Sequence, residues 1–291
     1  MQREEKINGN LIFPQQEKGE EGRLKRTHQL DRRQRMDLTD KVALVTGAAT
    51  GLGRTFCEEI LRHGGKVSIC DLDSDAGEHT ADELGETFGK ERVLFCHCDV
   101  TDYSQYEEAF QTTMTEFDSI DIVINNAEIW NDKFWELEVD VNLNGTIRGT
   151  LLAQRFMGRN SGGRGGVVIN IGSATSVRPQ ISTPIYSATK HAILALSRSC
   201  GDAYHFNLTG VRVIVVCPAL LENAMSSHNK RFKSPNHEKA WQLDVKGLMP
   251  QKLEHVAKCI IPIIKDATSG SIWLIANGKS AKEIPYSAIQ L

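Results

Sequence analysis

Residues 41–53 read KVALVTGAATGLG, and the class of fold to expect follows from that stretch. Val42, Ala43, Leu44 and Val45 form an unbroken apolar run, the pattern of a strand buried on both faces of a parallel sheet. Gly47, Gly51 and Gly53 come next, and beyond them Phe56, Ile60 and Leu61 recur at roughly helical spacing. A buried strand, a glycine-rich turn and a helix start together make an anion site. Glycines let the backbone turn tightly and approach a pyrophosphate, toward which the N–H groups of the helix N-terminus point.

From Asp37 onward the same alternation continues. Strand-like runs fall near 41–46, 66–71, 92–97, 121–125, 166–172, 211–217 and 271–275. Amphipathic segments near 52–63, 75–87, 103–117, 135–158, 185–206 and 252–265 lie between them. Such βαβ alternation predicts an α/β fold, a single Rossmann-type doubly wound parallel sheet flanked by helices, over residues 36–291. Residues 1–35 read differently, rich in Glu, Lys, Arg and Gln with only Leu11, Ile12 and Phe13 as an apolar cluster. They bury too little to offset their ordering entropy, so a disordered charged extension is expected there.

Charge and composition exclude several function classes. A formal net charge of -3 gives no electrostatic basis for a nucleic-acid or anionic-membrane partner. No apolar run approaches the roughly 20 residues that a membrane-spanning helix needs. The seven cysteines are scattered and odd in number, several inside strand-like runs where they act as small buried hydrophobes. Cys96 and Cys98 flank His97, but no second ligand pair at zinc spacing accompanies them, so no metal is expected. With no signal peptide in view, a cytoplasmic protein is expected.

The second strand-like run, KVSICD, ends in Asp71, about 20 residues past the glycine turn, where a carboxylate can accept hydrogen bonds from adenine-ribose hydroxyls. It would repel a 2′-phosphate, and neither Leu72 nor Asp73 offers a positive charge to welcome one. NAD is therefore expected rather than NADP. Tyr186 and Lys190 lie four apart on an expected helix and share a face. A free tyrosine, with a pKa of about 10, is too weak a base at neutral pH. A neighbouring ammonium favours the phenolate, which would bring Tyr186 into range for proton transfer.

The T-G-x-x-x-G-x-G spacing from Thr46 to Gly53, the Asn125-Asn126-Ala127 run, Ser173 and the Tyr186/Lys190 pair resemble the short-chain dehydrogenase/reductase family. GGRGGVVINIGS (162–173), PIYSATKH (184–191), TGVRVIVVCP (209–218) and SGSIWLIANGK (269–279) are similar to its NAD-dependent 15-hydroxyprostaglandin dehydrogenase branch and the insect relatives of that branch. The resemblance implies a catalytic tetrad of Asn142, Ser173, Tyr186 and Lys190. In it Lys190 also holds the nicotinamide ribose, Ser173 bonds the substrate oxygen and Asn142 holds a relay water. It implies cofactor contacts from Gly47, Thr50, Gly51, Leu52, Gly53, Asp71, Leu72, Cys98, Asp99, Val100, Asn126, Tyr186, Lys190, Leu221 and Asn223. Substrate would meet Ser173, Thr183 and Tyr186, and a homodimer would form through the helices that carry Asn142 and Tyr186.

Four positions depart from the family pattern. Glu128 replaces a glycine beside the nicotinamide ribose, Ala219 another glycine, Asn223 a threonine and Thr183 a glutamine that helps place prostaglandins. Prostaglandin is accordingly disfavoured as substrate. The specificity segment, 224–254, offers Met225, Phe232, Trp241, Leu243, Leu248 and Met249 as apolar walls. His228, Lys230, Arg231 and Lys233 could attract a carboxylate or form a solvated cluster. The expected activity is NAD-dependent interconversion of a secondary alcohol and a ketone on a mainly apolar small molecule. The alternative is a catalytically weak NAD-binding sensor or scaffold of the same fold, while an NADP-linked reductase is opposed by Asp71.

Overall fold

A computed structural model of the chain describes residues 36–222 and 232–285. The expected extension over 1–35 lies outside the described residues, as do Asn223, Met225, His228, Lys230 and Arg231. The strands are β1 (Val42–Thr46), β2 (Lys66–Asp71), β3 (Val93–His97), β4 (Ile122–Asn125), β5 (Gly166–Ile171), β6 (Val211–Pro218), β7 (Ile272–Ile275) and β8 (Lys282–Glu283). They form one sheet in the order β3-β2-β1-β4-β5-β6-β7-β8. All pairings from β3 to β7 are parallel, as the expected doubly wound sheet requires, and the two-residue β8 adds an antiparallel edge beside β7. The reason is local. Asn277 and Gly278, with φ of 56° and 63°, turn the chain straight back, and an Asn-Gly pair is the residue choice that such a tight return prefers.

The helices are α1 (Gly51–Arg62), α2 (Ser74–Phe88), α3 (Tyr103–Phe117), α4 (Trp135–Val139), α5 (Thr146–Met157), α6 (Pro184–Cys200), α7 (Ala203–Thr209), α8 (Pro235–Asp244) and α9 (Leu253–Asp266). Two expected single helices are in fact interrupted. A π-helical turn, Asp140–Gly145, joins α4 to α5, and Gly201 ends α6 before α7 begins. The helix α8 was not expected, although Ser234 followed by Pro235 at the first helical position is a start signal.

Every residue of β1 is buried, because helices cover both faces of the sheet. Phe56 and Ile60 of α1 and Val256, Ile260 and Ile264 of α9 fill one side. Tyr106 and Phe110 of α3 and Leu152 of α5 fill the other. Burying each such side chain contributes about 1.5–3 kcal/mol, so the two apolar layers carry the fold. A polar seam crosses the second layer. Asn125 of β4 donates to Asn170 Oδ1 of β5 at 2.7 Å and accepts from the Tyr106 hydroxyl at 2.7 Å. Asn170 in turn donates to Ser197 of α6 at 3.0 Å and accepts from Thr150 of α5 at 3.2 Å. These amides are buried and paired, which is the condition under which polar groups are tolerated there.

The chain leaves β1 toward β2 on one side, while β4 and later strands lie on the other. That reversal opens a crevice at the carboxyl ends of β1 and β4, the usual place for ligands in open α/β sheets.

Candidate active site

The crevice is an open cleft of about 490 Å³, and the glycine turn forms one end of it. Gly47 sits at φ +62°, a left-handed conformation that glycine adopts without steric cost. At Gly53 the backbone passes so close to its neighbours that an added Cβ would lie 2.2 Å from the Gly47 carbonyl oxygen. Thr50 is the N-cap of α1 but its side chain caps nothing, so the first-turn N–H groups remain for an anion. Gly47, Thr50, Leu52, Asp71, Leu72, Cys98, Asp99, Val100, Asn126 and Leu221 all line the cleft. Gly51 and Gly53 shape the turn without lining it.

Several of these side chains are engaged by the protein itself. Asp71 accepts from the Ala49 N–H at 2.9 Å and the Asp73 N–H at 3.1 Å, which fixes its carboxylate at the cleft wall. Asp99 accepts from the N–H and hydroxyl of Thr101, at 2.8 and 2.7 Å. Asn126 donates to the carbonyls of Thr46 and Gly47, at 2.9 and 3.0 Å, and so holds the glycine turn against β4. The Cys96-His97-Cys98 run does not converge: the two cysteines are buried, while His97 is exposed and meets Ser74 at 3.0 Å.

Beyond Glu128 and Trp130 the cleft meets a smaller pocket of about 110 Å³. Ser173, Tyr186, Gln180, Trp130, Leu220, Trp241 and Leu248 line it. Trp130 packs at a tilt against Tyr186 and Trp241, with ring centroids 5.7 and 4.7 Å apart, and Phe232 packs 6.1 Å from both tryptophans. Of the residues expected as apolar walls, Trp241 and Leu248 line this pocket beside Trp130, while Phe232 packs on the two tryptophans without lining it. Leu243 and Met249 are instead exposed, on the outer side of α8 and in the turn after it. Thr183 is buried and donates to Gln180 at 3.2 Å, so the amide that reaches the pocket comes from Gln180.

The structure brings Ser173, Tyr186 and Lys190 together. Ser173 lies two residues beyond the end of β5 and accepts from the Thr175 N–H at 3.2 Å. Lys190, nearly fully buried, donates to the Ile171 carbonyl at 2.9 Å. Asp132, far in sequence, caps α6 by accepting from the N–H groups of Ile185 at 2.9 Å and Tyr186 at 3.2 Å. Asn142 lies in the π turn, where the displaced register aims its side chain at Ile129. It accepts from the Ile129 N–H and donates to the Ile129 carbonyl, both at 2.8 Å.

The electrostatics differ from the sequence expectation. Glu128 Oε2 accepts from the Tyr186 hydroxyl at 3.1 Å and pairs with Lys190 Nζ at 2.5 Å. Burial, then the Glu128 charge, push the Tyr186 phenol well above its ordinary value, although a hydrogen bond with Ser173 opposes them. Lys190 was expected to lower that value, but the Glu128 carboxylate already balances its ammonium.

Glu138 is a second buried carboxyl, accepting from the Asn131 N–H at 2.8 Å. Burial, with Asp132 adding, pushes it up to about 8. Its ordinary value is about 4.3, so between those two values the unfolded chain has lost a proton that the fold retains. Stability therefore falls as pH rises through that window. Glu138→Gln mimics the protonated form, and its melting-temperature advantage over the parent is expected to grow from pH ~5 to pH ~8. A constant difference between melts at the two pH values would show that Glu138 does not titrate in this way.

Asp132, Glu138, Gln180 and Trp130 were not singled out in the sequence. Asp132 and Glu138 reach the site through the fold of the segment 128–139, which includes α4, and their spacing carries no motif. Gln180 could have been found as the glutamine nearest Thr183.

A family profile described as short chain dehydrogenase matches residues 41–234. The chain is 34% identical over 249 residues to 15-hydroxyprostaglandin dehydrogenase (NAD(+)) of Mus musculus, covering 84% of this chain and 93% of that protein. It is 31% identical over 250 residues to alcohol dehydrogenase 2 of Ceratitis cosyra, covering 86% and 96%. Among solved structures, levodione reductase superposes with a TM-score of 0.70 at 24% identity, covering 82% of this chain and 97% of that one. A 3-ketoacyl-(acyl-carrier-protein) reductase from Brucella melitensis, complexed with NADH, also gives 0.70 at 22% identity, covering 84% and 99%. At those identities the two structures speak to the fold.

Proposed function

The chain belongs to the short-chain dehydrogenase family, and from that premise we propose that it is an NAD-dependent oxidoreductase that converts a secondary alcohol to a ketone on a mainly apolar small molecule. The observation that carries this reading is the meeting of two spaces. The pocket that holds Tyr186 and Ser173 opens, at Leu52, Glu128 and Ile171, onto the glycine-turn cleft.

The residues present fit NAD. Gly53 leaves a cradle that a Cβ would fill, and the uncapped start of α1 supplies donors for a pyrophosphate. Each Asp71 oxygen already accepts one N–H and has a second lone pair for a ribose hydroxyl. NAD when bound supplies the hydride acceptor. Tyr186 and Ser173 orient the alcohol oxygen, and Tyr186 takes its proton. Trp130, Trp241, Leu220 and Leu248 keep water from the reacting carbon. The small volume and aromatic walls favour a compact or flat apolar alcohol, and agree with a substrate other than prostaglandin.

We further propose a homodimer in the cytoplasm, paired along the α4–α5 face, where Phe134, Trp135, Leu137 and Leu151 stand exposed. No described helix is long and apolar enough to cross a membrane. One observation favours the second reading, a weakly catalytic NAD-binding sensor or scaffold: Glu128 occupies the hydrogen-bonding reach of both Tyr186 and Lys190. Purified protein with NAD, tested against simple secondary alcohols, sterols, isoprenoid alcohols and prostaglandins, distinguishes the two. NADH formation with a compact apolar alcohol is the expected result. NADH binding with no turnover on any of them favours the sensor, and light scattering that shows only monomer removes the dimer.

A further inference from the structure

Glu128 stands where the family pattern has no side chain, and its placement is specific. One oxygen, Oε2, receives both the Tyr186 hydroxyl and the Lys190 ammonium. Its side chain is 39% exposed while that of Lys190 is 2% exposed, so Glu128 stands between the buried phenol and the open cleft. The loop that carries it is fixed by the two hydrogen bonds between Asn142 and the Ile129 backbone. Resting on the dehydrogenase reading, we propose that Glu128 is the proton acceptor of the site, taking the Tyr186 proton as Tyr186 takes that of the alcohol.

The alcohol O–H bond breaks and a new O–H bond forms at Tyr186 Oη. The original phenolic proton moves to Glu128 Oε2, and bound NAD would supply the two-electron acceptor for the carbinol hydride, so that the alcohol is left as the ketone. Glu128 then loses its proton to solvent. A standing phenolate is not required, and the geometry opposes one. It would be a second anion against the ammonium that Glu128 already pairs with, at 2.5 Å. Burial and the Glu128 charge hold the phenol protonated, which is the form a relay needs. The titratable groups that face Glu128 are Tyr186 and Lys190 from α6 and Glu138 from α4, with Asp132 beside Glu138. Glu138, pushed up to about 8, is largely uncharged at neutral pH, so Lys190 is the dominant charge that Glu128 meets.

Glu128→Gln keeps the shape and removes the acceptor. Its turnover at pH ~6 should fall by ~10²-fold, the lower end of what a positioned proton-transfer group contributes. The acid limb of the parent pH profile should give way to one at higher pH, set by the phenol itself. In Glu128→Gly, acetate or formate should restore turnover in proportion to its concentration. A measurement without turnover accompanies these: near-ultraviolet tyrosinate absorbance, assigned by difference against Tyr186→Phe. Tyr186 should ionise at lower pH in Glu128→Gln, because Lys190 is released to stabilise the phenolate. Turnover with an unmoved acid limb, or Glu128→Gln faster at every pH, overturns the inference and leaves the dehydrogenase reading standing. A parent with no turnover on any alcohol overturns both, even if Tyr186 titrates as expected.

Discussion

Tyr186→Phe is expected to lower kcat by ~10²–10⁴-fold while NADH binding changes little. The substitution deletes one oxygen and keeps the ring, whose centroid lies 5.7 Å from that of Trp130. The Glu128–Lys190 pair survives it, and Glu128, being partly exposed, recovers from water the hydrogen bond it loses. The glycine turn, Asp71 and the start of α1 are untouched, so the cleft keeps its determinants for the dinucleotide. A loss confined to kcat marks a group that acts in the transition state. Fluorescence titration with NADH and single-turnover kinetics measure the two halves separately. Turnover at the parent rate would remove Tyr186 from the chemistry.

The second large effect is expected at Gly53→Ala. Its Cβ would lie 2.2 Å from the Gly47 oxygen, 2.7 Å from Asn126 Nδ2 and 2.9 Å from Ala48 Cα. Two of those atoms are backbone of the turn itself and cannot yield by rotating a side chain. Overpacking of this kind costs about 1–3 kcal/mol or more, and relief comes only by displacing the turn from the first turn of α1. The melting temperature should fall, and NADH affinity should drop by ~10²-fold or more, since each tenfold is 1.4 kcal/mol. Gly85→Ala is the control. Its Cβ meets nothing nearer than 3.4 Å, and alanine is favoured over glycine within a helix. A Gly53→Ala protein with parental stability and affinity would show that the close approach at the turn is not what the crevice depends on.

The fold was legible because its strongest signals are local. An apolar run such as VALVT and a helical stripe such as Phe56-Ile60-Leu61 depend on nothing distant. The departures also have local causes: Asn277-Gly278 turned the chain into an antiparallel edge, and Gly201 divided a long helix. At the site, the glycine turn, Asp71 and the shared helix face of Tyr186 and Lys190 were legible from pattern and spacing, whereas Ser173 and most of the other cleft-lining residues were named only through the family resemblance. The state of the phenol was not legible. It depends on where the Glu128 carboxylate lies, and that depends on Asn142 gripping Ile129 across the fold. A sequence shows that a charge has replaced a glycine, but not which ammonium it meets. Asp132 was hidden for the same reason, since it caps a helix that begins 52 residues later, at Pro184.

The paired asparagines in the middle of the sheet carry one more implication. Asn125 and Asn170 are register partners on β4 and β5, and their bonds reach α3, α5 and α6. Sliding either strand by a single residue would turn an amide toward the opposite apolar layer and strand it without partners. The two residues thus act as an indexing pin. A misaligned register carries the cost of a buried unpaired amide, which favours the alignment that sets the end of β5 beside that of β4.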